Sequence, residues 1–298
     1  FLIIIGLGNI CFELSTVFYN ALLKKVSKKE NIGKISGIAW SLGYAGGILS
    51  LIICFFLFIN PDKPILGLDK EKFEHIRIIG PFIGLWFLIF SFPSFIYIKE
   101  KRAKIKKINL LKSIKKTFLS IEKTTFKFLI SRMLYTDGLN TLFAFGGIYA
   151  ATLFNMGFSE IILFGITLNI SAGIGSVIFA FFDDKYGPRI IIKFCLLSLI
   201  CICSLILITD SKIFFWILGI GIGLFIGGLQ STSRTCMARL SKANDQSKMF
   251  GIYGLSGKIT AFLGPYFVAL LTTTFNNQKA GFVTVSYTHL TLPTNREV

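Results

Sequence analysis

Eight apolar runs constrain this chain more than any motif in it, because a helix of about 20 apolar residues crosses the hydrocarbon of a bilayer. They fall at approximately 1–23, 35–59, 78–98, 130–153, 160–182, 189–208, 213–236 and 249–272. Lipid offers the backbone no hydrogen-bond partner, so runs this long predict helices, which satisfy their own peptide groups. With 53% hydrophobic residues, 16% charged residues and a mean hydropathy of +0.69, the chain of 298 residues is too apolar for a soluble domain. The fold class predicted is an all-α integral membrane bundle.

A net charge of +17 would suggest nucleic acid in a soluble protein, so the placement of the charge decides its meaning. Eight spans put alternate loops on opposite sides. The loops 24–34, 99–127, 183–193 and 234–248 hold 23 of the 32 Lys and Arg, whereas 60–77, 154–160, 209–212 and 273–279 hold six. That asymmetry assigns the first set to the cytoplasm. Nucleic-acid binding is not expected. The basic residues are expected to attract anionic lipids of the cytoplasmic leaflet, and in a bacterial cell the membrane would be the cytoplasmic membrane.

A second signal is internal. Ser27, Lys28, Lys34, Gly37, Ile38 and Gly43 recur as Ser241, Lys242, Lys248, Gly251, Ile252 and Gly257, six identities over 17 positions at a constant offset of 214. Each copy starts in a basic loop and enters the glycine-rich start of a span. Repeated groups of spans are characteristic of transporters built from two related halves. The offset pairs the first span with the seventh, so one half should hold six spans. Residues 1–98 then carry the last three spans of an N-terminal half, 99–129 a basic cytoplasmic connector, and 130–285 the first five spans of a C-terminal half. Eight of an expected twelve helices are present in this reading, with three expected before Phe1 and one after the eighth span. Phe1 reads as the start of a cut span, and the polar stretch 286–298 as adapter-like sequence outside the fold. A fragment of this kind is expected not to transport by itself.

The connector spaces Ile105, Ile108, Leu111, Ile114, Phe118 and Ile121 among lysines, which fits either a helix lying on the cytoplasmic leaflet or a solvated linker.

Asp184, Lys185, Gly187, Pro188 and Arg189 match the D-[RK]-x-G-[RP]-[RK] loop of the major facilitator superfamily, although the glycine expected four positions earlier is Ala180. The loop falls between the second and third spans after the connector, as that superfamily requires. More specific strings are VFYNA (17–21), SGIAWSLGYAGG (36–47), DGLNTLFAFGGIYA (137–150), GGLQSTSR (227–234) and FGIYGLSGKITAFLGP (250–265). Over residues 1–282 the chain resembles the autophagy-related vacuolar effluxer-like branch of that superfamily. The resemblance implies twelve helices, alternating access and, for fungal members, export of amino acids from the vacuole. It also makes Asp184, Lys185, Gly187 and Arg189 a gating loop. A small-molecule substrate is expected, with a monomer and no cofactor or metal.

Charge inside a span is costly, about 2.5 to 3.5 kcal/mol at a helix centre on insertion scales, and so points to function or to a buried ion pair. Glu13, Asp137 and Lys258 lie deep, with Asn140 three residues beyond Asp137. Arg132 and Arg234 lie nearer the cytoplasmic ends, within reach of snorkelling. Glu13, Thr16 and Asn20 share one helical face. Gly219, Gly223 and Gly227 form a close-packing stripe that continues into Gln230 and Arg234. The offset superposes Thr16 on Gln230, Asn20 on Arg234 and Tyr44 on Lys258. Trp40 lies one turn before Tyr44, so Trp40, Tyr44 and Lys258 form an aromatic and cationic wall for a zwitterion, with Lys258 or an Arg taking its carboxylate, or else Trp40 and Tyr44 pack against lipid or a neighbouring helix. Gly43 and Gly47 suggest a further helix contact. Glu13 and Asp137 are the candidates for proton coupling.

Other classes are less well supported. The histidines, His75 and His289, belong to no catalytic pattern, and the six cysteines lack metal-ligand spacing. An enzyme is not expected. A channel or a lipid-moving protein stays open as the alternative to a carrier.

Overall fold

The computed structural model describes residues 2–61, 65–98 and 117–277, together with 279, 281 and 283. Every regular element among them is helical. The helices are α1 (Leu2–Val26), α2 (Ile32–Cys54), α3 (Glu74–Arg77), α4 (Ile79–Tyr97), α5 (Lys123–Phe154), α6 (Phe158–Tyr186), α7 (Pro188–Ile208), α8 (Lys212–Leu240), α9 (Gln246–Ser256) and α10 (Leu263–Phe275). Among the described residues, six stretches are long and apolar enough to cross a membrane: Ile3–Val26, Ile32–Ile59, Glu74–Tyr97, Ser159–Tyr186, Pro188–Ile208 and Lys212–Leu240. They account for six of the eight expected spans.

The other two differ from expectation. The span expected at 130–153 belongs to a helix of 32 residues that begins at Lys123, inside the segment assigned to the connector. Its first turns are held because Thr125 and Leu129 are buried. The span expected at 249–272 is interrupted: α9 ends at Ser256 and α10 starts at Leu263. Between them the chain turns tightly, with the Lys258 amide donating to the Leu255 carbonyl at 3.0 Å and the Leu263 amide to Thr260 at 2.8 Å. Residues 99–116, most of the connector expected either as a surface helix or as a solvated linker, and the stretch 284–298 lie outside the described residues.

The chain forms two compact units, the described parts of 1–42 with 117–298 and, separately, 43–116. In the first, α6, α7 and α8 make the main core, where Cys195, Leu196, Leu199, Cys203 and Leu229 are fully enclosed. Lipid tails are as apolar as leucine, so helices in a bilayer associate by close packing rather than by hydrophobic exclusion. The glycines supply that packing. A Cβ at Gly227 would sit 1.9 Å from the Ala172 carbonyl oxygen, and one at Gly223 2.5 Å from that of Leu168. From the opposite helix, a Cβ at Gly175 would meet the Leu224 oxygen at 1.9 Å. The glycine stripe of α8 therefore faces α6 at backbone contact.

A second cluster joins the ends of α1, α2, α5, α8 and α9 through Ala21, Leu23, Ile32, Leu129, Met237, Ala238, Phe250 and Tyr253. The helices aligned by the 214-residue offset, α1 with α8 and α2 with α9, exchange partners across it. Val17 of α1 packs against Gly254 of α9, and Ser36 of α2 donates to the Ser231 carbonyl of α8 at 2.9 Å. Reciprocal pairing of this sort is what a two-fold relation between repeats generates.

The second unit contains the rest of α2, which runs into a π-helical turn at Phe55–Ile59, followed by α3 and α4. Phe58 meets Phe82 edge-on at 5.8 Å, and Phe82, Trp86 and Phe90 continue the aromatic column one turn apart on α4. Gly43 and Gly47, expected at a helix contact, have nothing among the described residues within 4 Å of where a Cβ would lie. Four-residue glycine spacing is necessary for such a contact but does not supply the partner.

Candidate functional site

The basic loops converge at one end of the first unit. The signature Asp184 lies at the end of α6, where Gly187 turns the chain at φ 86° and Pro188 starts α7. Its carboxylate reaches across to α2 and accepts from the amides of Gly33 and Lys34, both at 2.8 Å. The first amides of a helix have no partner within it, and a carboxylate there also meets the positive end of the helix dipole. Arg239 of α8 completes the arrangement, 2.9 Å from Asp184 and 3.3 Å from Asp183. Asp183 is wholly buried and also accepts from the Thr235 hydroxyl. Contact at this end is backbone-close: a Cβ on Gly37 would lie 2.3 Å from both the Ala180 Cβ and the Ser176 carbonyl oxygen. Lys24 of α1 donates to the Ser241 carbonyl at 2.7 Å.

Just inside this seal lies Arg234 of α8, only 3% exposed. Its Nε donates to Ser36 Oγ at 2.9 Å and its Nη2 to the Ser36 carbonyl at 2.6 Å. Nη1 approaches Asn20 Oδ1 at 3.4 Å, while the Tyr19 and Trp40 rings flank the guanidinium at 5.6 and 5.7 Å. Arg234 does not snorkel to the membrane surface, because α1 and α2 cover it. Its partner Asn20 is the residue that the repeat offset superposes on it.

Deeper still, Glu13 of α1 and Lys258 form an ion pair of 2.8 Å with both side chains about half exposed. Lys258 occupies the interruption between α9 and α10, and α5 stabilises both ends of that interruption. Arg132 donates to the Tyr253 carbonyl and to Ser256 Oγ and lies 3.5 Å from the Tyr253 ring, a cation at the C-terminal end of α9. Asp137 accepts from the Gly264 amide at 3.2 Å, an anion at the N-terminal end of α10. Gly264 is required there, since a Cβ would fall 1.8 Å from Thr141 Oγ1. Arg132, expected to snorkel, is instead committed to the carbonyl end of α9.

The structure thus gathers Glu13, Asn20, Trp40, Asp137, Arg234 and Lys258 within one unit. Thr16 turns its hydroxyl back to the Phe12 carbonyl at 3.0 Å, and Asn140 and Gln230 are half-buried on α5 and α8. Tyr44 lies on α2 in the second unit. In the signature loop, Lys185 lies against the Tyr186 ring at 5.1 Å and Arg189 is exposed. Sequence reasoning missed Asp183, Arg239 and Ser36. The aspartate doublet at 183–184 was a visible signal, but the α8 partner is more than 50 residues away. A separate cavity of about 150 Å³ between α5 and α10, lined by Phe145, Ile148, Tyr149, Val268, Ala269, Thr272 and Thr273, contains none of these charges.

Comparison with known proteins bears on this arrangement. The sequence profile of the family described as "Vacuole effluxer Atg22 like" matches residues 23–291. An uncharacterised MFS-type transporter of Bacillus subtilis, YxiO, is 23% identical over 266 residues, covering 87% of this chain and 61% of that protein. Autophagy-related protein 22-2 of Aspergillus clavatus is 23% identical over 84% of this chain and 45% of its own length. Autophagy-related protein 22 of Vanderwaltozyma polyspora is 23% identical over 89% of this chain and 59% of its own length. The chain spans about half the length of these relatives. With a family match over nine-tenths of its residues and apolar helices of membrane-crossing length, the chain is a multi-pass membrane protein that belongs to the vacuole effluxer Atg22-like family of major facilitator-type proteins.

Proposed function

We propose that the protein is a secondary active transporter that moves a small solute by alternating access, with amino acids or similar metabolites as the substrate class. The observation that carries this reading is the seal between α1–α2 and α6–α8–α9. It is built from helix ends, a charged loop and glycines, and it stands directly above a buried arginine and a deeper ion pair. Such an interface can part as rigid bodies without unfolding any helix. The basic loops assign the sealed end to the cytoplasm, so the side accessible in this conformation is the opposite one. Glu13 and Lys258 lie on the pathway at the interrupted helix, the kind of element on which transporters build their midplane sites. Proton coupling runs through Glu13 and Asp137. The substrate class rests on the family resemblance and on the effluxer description of the matching family.

The test is counterflow in proteoliposomes containing the full-length protein and labelled amino acids. Saturable counterflow supports a carrier, whereas unsaturable conductance indicates a channel. Coupling is tested with Glu13→Gln and Asp137→Asn, which should abolish accumulation driven by a pH gradient; accumulation by both variants would refute that role.

A further inference from the structure

Arg234 is a buried cation with no countercharge beside it among the described residues. Among the described residues it forms no ion pair, and the carboxylates of α1 and α6 that line this region pair with other cations: Glu13 with Lys258, Asp183 and Asp184 with Arg239. Its hydrogen-bond partners among the described residues are the neutral oxygens of Ser36, Asn20 and Tyr19. A buried charge is normally matched by an opposite one, because neutral dipoles replace only part of the hydration it loses. The tolerated exception here has a second property. Every one of those acceptors, and both flanking rings, comes from α1 or α2, across the seal from α8. When the seal parts, Arg234 loses all of them together and presents five donors to the opening cleft.

We propose that Arg234 is the carboxylate-binding site of the cytoplasm-open state, in which a solute carboxylate replaces Ser36 on the guanidinium. A planar guanidinium binds a carboxylate through two parallel hydrogen bonds. Ser36 already occupies two adjacent donor positions, Nε and Nη2, with its hydroxyl and carbonyl, and so mimics a bidentate acceptor. Solute and seal therefore compete for the same two donors. Closure requires the carboxylate to leave, and a bound carboxylate holds the cytoplasmic side open. This rests on the carrier reading and extends it: the transported solute carries a carboxylate, and Arg234 rather than Lys258 alone selects for it.

The test uses the full-length protein in detergent, with Ser231→Cys as reporter in a background without other reactive cysteines. Ser231 is 1% exposed beneath Ser36, and its hydroxyl bonds only within its own helix, to Gly228. Acetate is the probe, with acetamide as the neutral control and chloride matching ionic strength. Acetate should raise the maleimide labelling rate of position 231 severalfold, and acetamide should not. Asn20→Asp, which places a permanent carboxylate beside Arg234, should fold, raise the melting temperature and lose the acetate response. Arg234→Gln should also lose it. No acetate response in the parent background, or an undiminished response in Asn20→Asp, overturns the proposal. Saturable counterflow by the same preparation would then leave the carrier reading standing, whereas its absence would remove that reading independently.

Discussion

Asp184 accepts hydrogen bonds from the Gly33 and Lys34 amides at 2.8 Å each, although 150 residues separate the loop from the helix it caps. One carboxylate thereby joins the signature loop to the helix start across the seal. Asp184→Ala should remove the cap and one of the two ion pairs of Arg239 together, weakening local closure by about 1 to 2 kcal/mol. Hydrogen exchange provides the check: the Gly33 and Lys34 amides should exchange about tenfold faster, while amides in the middle of α7 keep their wild-type rates.

Gly37 tests the steric half of the same seal. Alanine there requires α2 to withdraw from α6, because its Cβ would fall 2.3 Å from a backbone oxygen. Overpacking of this kind costs about 1 to 3 kcal/mol. Gly37→Ala should lower the melting temperature and raise labelling of a cysteine at Ser231. Gly6→Ala, with nothing within 4 Å, should change neither.

The Glu13 and Lys258 side chains are each about half exposed, so their ion pair should contribute less than about 1 kcal/mol to stability. Glu13→Gln and Lys258→Gln should melt near the wild-type temperature and yet lose transport. The exchanged pair, Glu13→Lys with Lys258→Glu, should fold and remain inactive. Full recovery of transport in the exchanged pair would show that the pair serves only to hold α1 against the interrupted helix.

Asp137 presents a different balance. It is buried and caps α10 through the Gly264 amide. Asp137→Ala should destabilise the protein by about 1 to 2 kcal/mol. Asp137→Asn keeps an acceptor oxygen for that amide and should recover most of the melting temperature. Equal loss of stability in both variants would mean that the negative charge, not the cap, holds the helix start.

Much of this was legible in the residues. Six membrane-length helices followed from apolar runs, and the glycine stripe at Gly219, Gly223 and Gly227 foretold a close helix contact, though not that its partner is α6. The Asp184 loop was recognisable from its spacing. The break near Lys258 was not, because 249–272 reads as a continuous apolar run and the caps that stabilise the break come from Arg132 and Asp137, more than 120 residues earlier. Nor was the early start of α5, whose first turns carry Lys123 and Lys127 and are held by tertiary packing rather than by composition. Arg132 and Arg234 looked able to reach the membrane surface until their neighbours were known. The repeat offset aligned Asn20 with Arg234, yet alignment alone does not imply contact; that depends on α1 and α8 lying side by side.

If the protein is a carrier, the contact between α1 and the α8–α9 loop has to open for solute to cross. Cysteines replacing Lys24 and Ser241, whose side chain and carbonyl are 2.7 Å apart, can be joined by a short disulfide-cleavable cross-linker in a background without other reactive cysteines. Counterflow of labelled solute should cease on cross-linking and return on reduction. Counterflow that continues at the same rate with the two positions joined would show that solute crosses without this end opening.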